Sequence, residues 1–98
     1  MYATDTIVDS VSFTDYIAEG ETNSYTITPT EDGVWTFRSY TYEYPYAILY
    51  DADGKELVHS AGFKINYELK AGETYTLEVG WYYNSVGNIG LIFTKEAK

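Results

Sequence analysis

Thr74-Tyr75-Thr76-Leu77-Glu78-Val79 is the clearest strand in the chain, and the fold follows from it. Tyr, Leu and Val alternate with Thr, Thr and Glu. A period of two sends the three apolar side chains to one face of a strand and the polar ones to the other. The pattern recurs along the chain. Val11 and Phe13 alternate with Ser10, Ser12 and Thr14, Tyr25 and Ile27 with Ser24, Thr26 and Thr28, and Trp35 and Phe37 with Thr36 and Arg38. Ala47 to Tyr50 is a shorter apolar run. Phe63, Ile65, Tyr67 and Leu69 alternate again, and Ile89, Leu91 and Phe93 close the series. No window sustains a helical period, and the segment Asp15 to Ala18 is expected to turn.

Between these runs lie Pro29-Thr-Glu-Asp-Gly33, Asp51-Ala-Asp-Gly54 and Lys70-Ala-Gly72, which read as tight turns. About eight strands, near 9–14, 23–29, 33–40, 46–51, 55–60, 63–69, 73–80 and 87–94, predict an all-β chain. The expected fold is a single antiparallel β-sandwich of jelly-roll-like form with a core over roughly 9–94. If successive strands alternate in direction, the three polar turns share one end. The segments 40–46 and 81–88, rich in tyrosine and tryptophan, then project from the other.

A chain of 98 residues is one domain. Fifteen acidic residues against six basic ones give a net charge of −9. A nucleic-acid partner needs a basic face, so none is expected, and acidic polysaccharides are disfavoured on the same ground. There is no cysteine, which excludes disulfides and thiolate zinc sites. No segment offers the ~20 apolar residues of a membrane span. Any export signal is expected to lie outside these residues, with Met1 a cloning start.

Four motifs in order carry a family resemblance: Gly20-Glu-Thr-Asn-Ser-Tyr-Thr-Ile27, Gly33-Val-Trp-Thr-Phe37, Leu49-Tyr-Asp-Ala-Asp-Gly54 and Leu69-Lys-Ala-Gly-Glu-Thr-Tyr75. Together they resemble the bacterial pre-peptidase C-terminal domain, with the third and fourth similar to its hairpins. Ile89 departs from the pattern, standing where the family's last strand has an aromatic. The resemblance implies a sandwich module of secreted or cell-surface bacterial proteins, monomeric within a multidomain parent. Some relatives resemble carbohydrate-binding modules. The similar collagen-binding domains of bacterial collagenases use calcium, which makes Glu19, Glu21 and Asn23 the calcium candidates, although three ligands fall short of the six to eight that calcium takes. Asp51 and Asp53 fit a hairpin turn better, because Lys55 occupies the next ligand position.

No catalytic residues are expected, and the module reads as a non-enzyme. His59, the one histidine, cannot build a triad or a histidine metal site and reads as a polar residue near a strand end. The aromatic segments are the candidate ligand site. Tyr40, Tyr42, Tyr44 and Tyr46 recur at every second residue, and Trp81, Tyr82 and Tyr83 are consecutive. Glu43, Asn84 and Asn88 would supply polar partners for the sugar hydroxyls. Tyr40 and Tyr46 could instead finish strands and Trp81 cap the core, whereas Trp35 belongs to the core. The reading that follows is a non-catalytic module binding a neutral polysaccharide such as starch or plant glucan. The alternative is a protein-contact or spacer domain of a secreted peptidase or adhesin, meeting a neighbouring domain or collagen.

Overall fold

The computed structural model describes residues 6–40, 45–82 and 85–96. Eight strands form two four-stranded antiparallel sheets. They are β1 (Val11–Ile17), β2 (Thr22–Ile27), β3 (Gly33–Ser39), β4 (Pro45–Tyr50), β5 (Glu56–Ser60), β6 (Lys64–Leu69), β7 (Tyr75–Trp81) and β8 (Gly87–Lys95). Sheet I has the order β1-β8-β3-β6 and sheet II the order β2-β7-β4-β5. Every connection but one therefore crosses from one sheet to the other. That is the double Greek key of a jelly roll. Only β4 and β5 form a hairpin within a sheet.

The alternation seen in the sequence builds the core. Tyr25, Ile27, Trp35, Phe37, Leu49, Ile65, Leu77, Val79, Leu91 and Phe93 are all buried between the sheets. Phe93 meets Phe37, Phe13 and Tyr25 edge-on at centroid separations of 5.2, 5.6 and 5.8 Å. Aromatic pairs of this geometry contribute about 0.5–1.5 kcal/mol beyond the area they bury.

Two expectations are corrected. Asp15 to Ala18 is not a turn, because β1 runs on to Ile17. Asp15 occupies an inward position at the sheet edge, where Tyr25 Oη donates to its carboxylate at 2.9 Å and Asn23 Nδ2 donates to Tyr25 Oη at 3.2 Å. Burial, the leading cause, and the Asp15 carboxylate hold the Tyr25 hydroxyl well above the usual tyrosine range, while Asn23 acts the other way. An inward charge on an edge strand also discourages further strands from pairing there. Second, Leu69–Tyr75 is not a hairpin: β6 lies in sheet I and β7 in sheet II. Its turn is tied instead to the β2–β3 turn, by Gly72 N donating to Pro29 O and Ala71 N to Asp32 Oδ1.

The alternating strand directions hold within both sheets. Polar turns gather at one end of the sandwich. Both ends of the described chain lie there too, since Ser10 Oγ accepts from Lys95 N at 2.9 Å. β3 and β7 end, and β4 and β8 begin, at the opposite end, which carries Tyr40, Tyr46, Trp81 and Tyr82.

Candidate functional site

At the aromatic end the candidate residues separate by sheet. β3 and β4 belong to different sheets, so Tyr40 and Tyr46 lie on opposite outer faces of the sandwich. Each lies across a glycine of a neighbouring strand. A Cβ on Gly80 would sit 2.6–2.8 Å from Oη, Cζ and Cε2 of Tyr46, and a Cβ on Gly90 would collide with the Tyr40 ring. Glycine inside a strand marks such a close approach, and the ring replaces the packing that the missing side chain would give.

On sheet II, the Tyr46 ring meets Tyr82 at 5.0 Å between centroids and His59 at 6.1 Å. His59 Nε2 and Tyr82 Oη are 3.3 Å apart. Tyr50 Oη donates to Glu78 Oε1 at 3.3 Å on the same face. Burial first, then the negative charge of Glu78, pushes the Tyr46 and Tyr50 hydroxyls up, so both remain neutral donors. The register explains the cluster: Tyr46 pairs with Gly80, Ile48 with His59 and Ile48 with Glu78. The face thus offers half-buried rings with hydroxyl, imidazole and carboxylate groups around them. That combination suits stacking and hydrogen bonding to a ligand.

Trp81 turns inward, half-buried against the core, and its Nε1 donates to Ile17 O at 3.0 Å. Tyr40 is 56 % exposed on the outer face of sheet I. Tyr42, Glu43, Tyr44, Tyr83 and Asn84 lie outside the described residues. Asn88 is exposed on β8. The structure therefore brings Tyr46 and Tyr82 together and separates Tyr40 from them. His59 and Tyr50 join the cluster although they were not read as site residues. Gly80, a glycine inside the alternating run of β7, was the available signal.

Of the calcium candidates, Glu19 and Glu21 are exposed, and the Asn23 amide donates to Tyr16 O and Tyr25 Oη. Among the described residues no group of three or more His, Cys, Asp and Glu side chains is placed to hold a metal ion. Asp51 Oδ1 accepts from the N–H groups of Asp53 and Lys55, each at 2.9 Å, as a turn residue.

The chain's sequence matches no family model and no curated protein. Its fold does have solved counterparts. It is similar to the pre-peptidase C-terminal domain of collagenase from Bacillus anthracis, with a TM-score of 0.69 and 16 % identity over 92 % of this chain and 93 % of that one. The chain has the pre-peptidase C-terminal fold. The same fold is seen in a periplasmic inhibitor of g-type lysozyme from Aeromonas hydrophila (TM-score 0.73, 10 % identity, 93 % and 96 % covered). It is seen again in the Yersinia pseudotuberculosis-derived mitogen (TM-score 0.69, 15 % identity, 94 % and 90 % covered). Three proteins so differently described share one sandwich, so function resides in the surface that each puts on it.

Proposed function

We propose that this pre-peptidase C-terminal-like domain is a non-catalytic accessory module that binds a neutral polysaccharide on the Tyr46–Tyr82–His59 face of sheet II. The observation that carries the reading is the Tyr46 ring, laid across Gly80 with Tyr82 and His59 at its side. The apolar C–H face of a sugar ring stacks on an aromatic plane, and its hydroxyls need polar partners. Tyr82 Oη, His59, Tyr50 Oη and Glu78 stand ready as those partners. An extracellular or envelope location fits the periplasmic inhibitor among the proteins of like fold. Affinity gel electrophoresis against starch, xyloglucan and β-glucan tests the reading. Retardation on one of them, lost in Tyr46→Leu and Tyr82→Ala, is expected. No retardation on any would overturn it.

A second reading, contact with a protein, is favoured by what two solved counterparts are described as: a lysozyme inhibitor and a collagenase domain. It requires the same face to be covered in a longer chain. Hydroxyl-radical footprinting of Tyr46 and Tyr82 in the module alone and in such a chain separates the two, since protection without added glycan belongs to protein contact.

A further inference from the structure

The outer face of sheet I runs against the charge of the whole chain. Arg38 on β3 and Lys64 on β6 are direct cross-strand partners, both exposed. Neither has an ion-pair partner among the described residues, where the ion pairs belong to Lys95. Like charges set opposite each other on a sheet destabilise it. Here they do so in a protein of net charge −9, where carboxylates are abundant. The one carboxylate at an outward position of these four strands is Glu68, four residues along β6 from Lys64, about 13 Å at the rise of a strand. Charges further apart than the Debye length of about 8 Å are largely screened at physiological salt, so the local pair, not the total, sets the sign of this face.

Exposed rings continue the strip. Tyr40 follows Arg38 by two residues, lies across Gly90, and brings its Oη to 3.5 Å from Thr14 Oγ1. Tyr16, two residues or about 6.7 Å further along β1, pairs with Asn88. Tyr16 and Tyr40 are each 56 % exposed.

We propose that this face is a second binding surface, for a carboxylated glycan: the sugar rings stack on Tyr40 and Tyr16 while their carboxylates reach Arg38 and Lys64. Two cations side by side, without an ion-pair partner among the described residues, call for an anionic ligand, and the adjoining rings select a glycan over a merely charged chain. It stands apart from the neutral-glycan reading of sheet II, with different residues and the opposite charge.

The test uses the whole 98-residue chain in native gels containing polygalacturonate, dextran or poly-L-glutamate. Retardation by polygalacturonate alone is expected. It should weaken at least tenfold in Arg38→Gln and Lys64→Gln, disappear near 0.5 M NaCl, and persist in Tyr46→Leu. Removing either cation relieves the repulsion, so both variants should melt no lower than the parent chain, which separates lost binding from lost folding. Absence of retardation by polygalacturonate overturns the proposal. So does equal retardation by poly-L-glutamate, which would mean charge alone, or equal retardation of the Tyr46→Leu variant by dextran, which would mean rings alone with the sheet II face already removed. Binding undiminished in both cation variants overturns it as well.

Discussion

Gly80→Ala is the most informative single change on the sheet II face. Its new Cβ would sit 2.6 Å from Tyr46 Oη, and ordinary van der Waals contact begins at 3.4 Å, so the ring tip must move by about 0.8 Å. The colliding atoms are the far end of a flexible side chain and not backbone, so the ring can swing aside while the strand stays in place. Holding Tyr46 away from its rotamer minimum costs about 0.5–1.5 kcal/mol. Replacing a mid-strand glycine by alanine returns roughly 0.5–1 kcal/mol. The net change in stability is then within about 1 kcal/mol of zero, at most some 4–8 °C in melting temperature for a domain of this size. Ligand stacking fares differently. If the displaced ring forfeits the about 0.5–1.5 kcal/mol of an aromatic contact, affinity for the neutral glycan falls roughly 2- to 12-fold. Urea unfolding and affinity electrophoresis on the same variant read both quantities. A stability loss above about 3 kcal/mol would show that Tyr46 cannot yield. An unchanged affinity in a stable variant would remove Tyr46 from the binding surface.

Four further outcomes are expected. Tyr25 keeps its proton in the fold beyond the pH at which an unfolded tyrosine loses it, near 10, because its folded pKa is raised. Its contribution is therefore whole below pH 10 and declines above it. The urea midpoint should fall as pH rises past 10, and Tyr25→Phe should flatten that fall while lowering stability at pH 7 by about 1.5–3 kcal/mol through the lost bond to the Asp15 carboxylate. Trp81→Phe removes the donor to Ile17 O and should cost about 1–3 kcal/mol in urea unfolding without exposing new protease sites elsewhere. Asp51→Ala strips two N–H groups of the β4–β5 turn of their acceptor and should cost about 1–2 kcal/mol. Calcium should leave the melting temperature of both Asp51→Ala and the parent chain where it was.

The strands were legible because nearly every one alternates cleanly. Thr76, Glu78 and Thr26 point outward while Leu77, Val79 and Ile27 are buried, as their order requires. β1 outran its reading because Asp15 breaks the pattern: an inward carboxylate looks like a turn residue until Tyr25, ten positions away, is brought against it. Turn chemistry was readable, whereas the destination of the chain after each turn was not. Asp51–Gly54 and Lys70–Gly72 use the same small and polar residues, yet the first folds back beside its own strand and the second arches to the facing sheet. That same ambiguity hid the division of the site. Tyr40 and Tyr46 are six residues apart and looked like one surface, but β3 and β4 carry them to opposite faces. His59 was passed over because its partners, Tyr46 on β4 and Tyr82 just after β7, meet it only through sheet pairing.

The proposed ligand surface of sheet II is centred on Tyr46. Titrating the ¹⁵N-labelled domain with the glycan that retards it most tests this residue by residue. Shifts confined to Tyr46, Ile48, His59, Gly80 and Tyr82, with Tyr40 and Gly90 unmoved, are predicted. Shifts centred on Tyr40 and Gly90, or none at saturating glycan, would contradict it.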